Sequence, residues 1–323
     1  MSYQEYQRLL ELEKYPEAAR FAEQQAEDQA GSGRDSEAFW LTQQARALNR
    51  AGKHAAALEA GRRALDLAPE NPFAVVATAD ALFGLQRLEQ ALGHYLELLR
   101  SPRLLQQGRK GVLECLSALK RWEQLLERLS GWSLPEEQAL PWRVRALSAL
   151  GRNHEALDSC RRWIELRPHY PPALWEASEL EVRLDGLETA LEKAGRLARI
   201  PSLPQVYREI YASLCRKAGR PEEAVKAYET IGAQGEQSRI QKKKAFTLAK
   251  SGRELEALPL LEELLKSEPA DKYLHSSYAA ACSRIGEPER AINFYNKLLT
   301  LHPEERSLYG RIKGMKRKLE EQG

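Results

Sequence analysis

This chain has little of what enzymes, secreted proteins and membrane proteins usually carry. Its 323 residues include four cysteines, two methionines and six phenylalanines. Cys115, Cys160, Cys215 and Cys282 stand far apart, with no C-x-x-C or Cys/His ligand spacing. They read as reduced packing residues, with no disulfide framework and no metal site expected. No run of about 18 apolar residues exists to span a membrane. Residues 1–6 lack the basic start and apolar core of a secretion signal, so the expected location is cytoplasmic. No segment alternates apolar and polar residues with β-branched enrichment, which excludes a sheet. Charge of either sign is nearly balanced, at a formal +3, so a strongly nucleic-acid-binding composition is absent.

Catalytic patterns are missing as well. His54, His94, His154, His169, His275 and His302 fall in different parts of the chain, and no acid or nucleophile recurs beside them. Gly31-Ser32-Gly33 superficially suggests a phosphate loop, but no strand precedes it and no lysine-serine end follows. It reads as a connector, with Asp35 or Ser36 as the next helix cap. No catalytic residue and no cofactor are expected.

What is present is a period. Ala57, Ala91, Ala156, Ala190, Ala224, Ala257 and Ala291 recur at about one 34-residue interval, with Leu125 standing in the gap between Ala91 and Ala156. Five residues before the alanine stands Gly52, Gly151, Gly219, Gly252 or Gly286, with Gln86, Lys120 and Asp185 in other copies. A glycine there accepts a left-handed backbone at a helix end. Four residues after the alanine comes Tyr95, Tyr228 or Tyr295, or the smaller Cys160, Ala194 and Gly61, on the same helical face. Prolines at 69, 102, 168, 201, 269 and 303 then close the copies.

These features resemble the tetratricopeptide repeat family, whose signature has an alanine, an aromatic four residues later and a closing proline. Ala91-x3-Tyr95, Ala224-x3-Tyr228 and Ala291-x3-Tyr295 match its second helix, and Leu299 to Pro303 match the exit. Trp40 and Trp175 lie near its tryptophan position, whereas its internal leucine-glycine pair appears mostly as alanine or serine. The resemblance covers roughly residues 38–303. It implies an all-α, right-handed superhelical solenoid of antiparallel helix pairs, in which each copy buries its core against its neighbours.

About nine pairs are predicted, at 2–30, 36–68, 72–100, 104–132, 136–167, 171–200, 204–232, 237–267 and 271–301, with a single capping helix at about 304–321. In domain terms, residues 1–35 form a degenerate first pair, 36–303 the tandem array, and 304–323 a basic cap. The copy near 104–135 is irregular, because it lacks both the turn glycine and the alanine. Either the array changes pitch or divides there, or the copy has drifted with its packing intact.

The resemblance also implies a concave groove lined by the first helix of each pair; helical spacing supplies its residues. In the second copy these are Thr42, Arg46 and Asn49, and in the third Val76, Asp80 and Phe83. The fifth offers Trp142 and Arg145, the sixth Trp175 and Glu179. Toward the end come Glu209, Ser213 and Arg216, then Lys242, Phe246 and Lys250. Aromatics mixed with basic residues suit an extended protein or peptide segment carrying apolar anchors and acids. The plainer reading is that long basic side chains solvate a crowded surface. A family clamp for a partner's C-terminal carboxylate finds basic matches in Arg239 and Lys243 but lacks its two asparagines, so such a receptor is not expected.

Charge is uneven along the chain: residues 1–100 carry a net −4 and residues 201–323 a net +5. That polarity is compatible with head-to-tail self-association, or with two independently solvated ends. The runner-up function is nucleic-acid association through Lys242-Lys243-Lys244 and the basic tail; a substrate-delivering subunit of an enzyme complex ranks third. The leading expectation is a non-catalytic scaffold or adaptor.

Overall fold

The recurring alanines all lie at tight helix contacts. Ala57, Ala91, Ala156, Ala224, Ala257 and Ala291 are completely buried, as is Leu125, and Ala190 is nearly so. A methyl side chain lets two helix backbones approach closely. The computed structural model describes residues 2–31, 33–231 and 237–320. Among them are nineteen helices and no strand.

Two compact units divide the chain between Arg152 and Asn153. The first contains α1 (Ser2–Glu11), α2 (Tyr15–Gln29), α3 (Arg34–Arg50), α4 (His54–Leu67), α5 (Pro72–Gly84), α6 (Leu88–Leu98), α7 (Leu105–Ala118), α8 (Trp122–Gly131) and α9 (Glu136–Ala149). The second contains α10 (Asn153–Leu166), α11 (Pro171–Asp185), α12 (Leu187–Ala198), α13 (Val206–Lys217), α14 (Pro221–Glu229), α15 (Gln237–Lys250), α16 (Glu254–Ser267), α17 (Lys272–Arg284), α18 (Pro288–Leu301) and α19 (Ser307–Glu320). The eight predicted pairs that lie within one unit and the final helix therefore all appear, while the two helices of the fifth, α9 and α10, fall in different units. Within each unit, successive helices pack as antiparallel neighbours, and odd-numbered helices are the first members of pairs.

The turns inside pairs share one backbone device. Gly52 has φ 73°, and its neighbourhood bonds Gly52 N to Asn49 O and Lys53 N to Leu48 O, the two reverse bonds of a left-handed helix stop. Gln86 and Lys120 take the same conformation, at φ 60° and 58°, with the same pair of bonds. The fold thus imposes the left-handed turn even where the sequence supplies no glycine. Asp185 does not follow them; Gly186, one residue later, is left-handed instead at φ 85°.

The irregular copy is packed. Leu125 and Leu129 are buried, while Trp132 and Leu134 of the linker lie against the first unit's core. The Arg109 guanidinium sits 5.5 Å from the Trp132 ring, a cation–π contact. The division of the chain falls after α9, not at this linker.

At the other end, Leu308, Ile312 and Met315 of α19 form a buried i, i+4, i+7 stripe that closes the core containing α17 and α18. Arg311 is half-buried, while Lys313, Lys316 and Arg317 are exposed. None of the described helices is long and apolar enough to cross a membrane.

The aromatic four residues after the alanine also has a mechanical role. Tyr95 lies over Gly111 of α7, where an added Cβ would approach the ring to 2.3 Å. The ring occupies space that a side chain on the next first helix would otherwise fill.

Candidate peptide-binding face

In the first unit, most of the predicted groove residues are engaged in holding helices together. Val76 is buried in the core, and Thr42 is buried with its hydroxyl bonded to Ala38 O at 2.7 Å; neither presents a face to solvent. Both sit where α3 and α5 pack directly on each other, which helical spacing within one copy does not reveal. Asn49 donates to Ala77 O at 2.8 Å and lies 3.3 Å from His54 Nδ1, tying α3 to both α5 and α4. Asp80 accepts from Tyr95 Oη at 2.5 Å. Burial raises the Asp80 pKa, and the tyrosine bond only partly opposes that. Phe83 and Trp142 are half-buried against the core. Arg46 is exposed and reaches Gln43, and Arg145 is exposed with its guanidinium 6.0 Å from the Trp122 ring.

The second unit brings chemistry-bearing residues together. Trp175, Glu209 and Lys243 are spaced by one 34-residue period, so they hold equivalent positions on α11, α13 and α15. Glu209 is 3% exposed. Arg239 donates to both its oxygens, at 2.7 and 2.8 Å, and Lys243 donates at 3.0 Å. Burial alone would push the Glu209 carboxyl upward, but the bonds from Arg239 and Lys243 outweigh it and hold the pKa below the usual range. The Lys243 ammonium also lies 5.6 Å from the Trp175 ring centroid. One turn along α11, Glu179 accepts from Lys217 of α13 at 2.5 and 2.6 Å.

One predicted residue is displaced from this row. Lys242 bonds Glu268 and, at 2.8 Å, Asp271, the N-cap of α17. A single helical residue rotates a side chain by about 100°, so Lys242 ties α15 to the α16–α17 connection while Lys243 faces Trp175. Phe246 is half-buried against the C-terminal core. Arg216 and Lys250 are exposed, and with Ser213, Lys217 and Thr247 they line an open cleft that holds no carboxylate. Among the described residues Lys250 has no charged or hydrogen-bonding partner.

The lysine run that suggested nucleic acid is paired throughout. Lys242 and Lys243 are bound as above, and Lys244 reaches Glu229 at 2.8 Å. Each lysine of the run therefore already holds a carboxylate.

Neither histidines nor cysteines gather into a reactive centre. His275 is completely buried with Nε2 2.8 Å from Pro269 O, so Nε2 carries the proton and donates. Burial lowers its pKa. All four cysteines are free and buried. Burial pushes the Cys115 and Cys160 thiols up to about 12 and Cys282 up to about 11, away from the reactive thiolate.

Two tetratricopeptide repeat family models match the chain, one over residues 42–103 and one over residues 173–308. No curated protein matches it. Similar solved structures include a tetratricopeptide repeat protein from Parabacteroides merdae, 16% identical with a TM-score of 0.43, covering 86% of this chain and 98% of that one. The TPR domain of P58(IPK) is 15% identical with a TM-score of 0.30, covering 99% of this chain and 98% of that one. YrrB, described as a TPR protein with an unusual peptide-binding site, is 15% identical with a TM-score of 0.38, covering 60% of this chain and 97% of that one. With its helix pairs in register and both matches falling on repeats, this chain belongs to the tetratricopeptide repeat family of protein-interaction scaffolds.

Proposed function

We propose that the face formed by α11, α13 and α15 captures an extended acidic segment of a protein partner, with no chemistry of its own. The supporting observation is the buried Glu209 carboxylate, which fixes Arg239 and Lys243 while Lys243 lies over Trp175. Long cationic side chains lose much rotamer freedom when they grip a ligand; here an internal carboxylate has already imposed that order. Lys243 remains 29% exposed, so its ammonium reaches solvent beside Trp175. With Arg216, Lys217 and Lys250 the face carries five cations against the two carboxylates Glu179 and Glu209. Half-buried Trp175 and Phe246 offer apolar contact beside them.

The test is fluorescence anisotropy with labelled decapeptides that alternate aspartate or glutamate with leucine, against versions carrying lysine at the acidic positions. The acidic set binds and the basic set does not. Arg216→Glu combined with Lys250→Glu lowers affinity for the acidic set at least tenfold while circular dichroism and the melting temperature stay near wild type. Undiminished binding by the folded double variant would place the surface elsewhere. Single-stranded DNA of matched length binds weakly and is lost steeply as salt rises, because its affinity comes from counterion release.

A further inference from the structure

A cavity of about 220 Å³ lies between α10, α11, α12 and α13, on a different side of α11 and α13 from the peptide face. Its walls are Leu157, Ile164, Leu174, Ala177, Ala190, Ala194, Leu197 and Ile210. The repeat explains why space is left there. At the position four residues after the periodic alanine, Tyr95, Tyr228 and Tyr295 each place a buried ring, and α12 has Ala194 instead. The next first helix does not compensate, since α13 contributes only Tyr207 and Ile210 to the lining.

The cavity is not uniformly apolar. Ser178 lines it, is 7% exposed, and makes no hydrogen bond among the described residues. Its hydroxyl opens onto the cavity as a donor without a protein partner. Arg161, Lys193 and Glu181 complete the lining. Glu181 is neutralised by its ion pair with Lys193, and Arg161 is held only by an exposed pair to Asp158, an interaction worth about 0–1 kcal/mol. The lining therefore has an aliphatic body, one unpaired hydroxyl donor, and one cation, Arg161, in excess of its carboxylate.

We infer that this cavity binds an unbranched alkyl carboxylate, with the chain among the aliphatic walls and the carboxylate accepting from Ser178 and facing Arg161. Size sets the chain length. A dry engineered cavity of about 150 Å³ holds the six carbons of benzene, so this one has room for about eight. The site uses none of the residues assigned to the acidic segment and stands independently of that reading.

The probe is octanoate, titrated into the full chain and followed by calorimetry and by the methyl resonances of Ile164 and Ile210; octanol and octylamine are the controls. The expected order is octanoate tightest, octanol at least threefold weaker and octylamine weakest, with saturable shifts at both isoleucines. Ala194→Tyr, which restores the ring found in other copies, abolishes octanoate binding and leaves or raises the melting temperature. Ala177→Leu serves the same purpose if the tyrosine variant does not fold. Ser178→Ala weakens octanoate by about three- to tenfold. Equal affinity for all three probes, retention in the filled variants, or no isoleucine shift would each overturn the assignment and leave an unfilled packing gap.

Discussion

The two units build the same helix pairs but join neighbouring helices in different ways. In the first unit the joins are buried and mostly uncharged: Tyr6 Oη donates to Gln43 O at 2.8 Å, Asn49 to Ala77 O at 2.8 Å, and Tyr95 to Asp80 at 2.5 Å. Its ion pairs between helices lie at the surface, whether long, as Arg152 to Glu123 at 3.9 Å and Arg63 to Glu37 at 4.0 Å, or short, as between Arg121 and Glu89. In the second unit the joins are ionic and partly buried, including Glu209 with Arg239 and Lys243, Lys242 with Asp271, and Arg284 with Glu254. A repeat frame fixes where two helices meet without fixing the chemistry of the meeting. The unit that uses charge for its joins is also the one that presents cations to a ligand.

The largest effect that would sharpen this contrast lies in the first unit's core. Leu125 is completely buried at the alanine position of the irregular copy. Leu125→Ala should cost about 2–5 kcal/mol, because it leaves a cavity that the bulkier copy was built around. Chemical denaturation should give the same loss at low and high salt. A cost well under 1 kcal/mol would mean that the copy had relaxed into ordinary packing.

In the second unit, Glu209→Gln should cost about 1–3 kcal/mol, because a buried acceptor of three charge-assisted bonds is weakened. The loss stays moderate since Arg239 and Lys243 are part-exposed and rehydrate. The Glu209 pKa is lowered by folding, so its contribution is present above the unfolded value of about 4.3 and disappears as pH falls through the lowered folded value. Trp175 emission reports the event directly, as Lys243 lies above its ring. If the variant matches wild type at pH 7, the ionic joins are decoration and the contrast between the units fails.

His275 gives a milder acid sensitivity to the same unit. Folding lowers its pKa, so the native and unfolded chains both hold it neutral above about pH 6.5. Below that the unfolded chain takes up a proton that the native site refuses. Stability then falls by at most about 1.4 kcal/mol per pH unit. Between pH 7 and pH 5 the His275→Gln variant should lose this slope in pH-dependent denaturation curves; an unchanged slope would assign it to another group.

The smallest effect concerns the turns. Gln86→Gly and Lys120→Gly should each raise stability by a few tenths to about 1 kcal/mol, as both residues hold a left-handed backbone at φ 60° and 58°. Gly52→Ala should move stability the other way. Thermal melts of the three variants decide it, and a loss on adding glycine would show that the side chains make compensating contacts.

Much of the fold was legible in the sequence because its signals are local. The alanine, the turn glycine, the closing proline and the 34-residue spacing place the helices of the array and the last helix to within a few residues. The candidate face was legible only in part. Helical spacing puts Trp175, Glu179, Arg216 and Lys250 on the proposed face, but it points to Lys242 where the structure turns Lys243 to the tryptophan. The period itself holds the correction, since 175, 209 and 243 are equivalent positions. In the first unit Val76 and Thr42 were misplaced because α3 packs directly on α5, a contact between copies that no single helix's amphipathicity records.

The sequence by itself determined where helices begin, stop and bury an alanine, because caps, turns and the 3.6-residue periodicity act over a few neighbours. Only the tertiary structure decided which polar residues are spent and which remain. Asn49 and Asp80 look like Arg216 and Lys250 in the sequence, yet the first two bond across helices and the last two face an open cleft. Likewise Ala194 reads as another small residue until the missing ring is seen to leave a cavity beside an unpaired hydroxyl. Whether a side chain is a joint, a ligand contact or a gap depends on what the adjacent copy places opposite it, and that is settled by packing between copies.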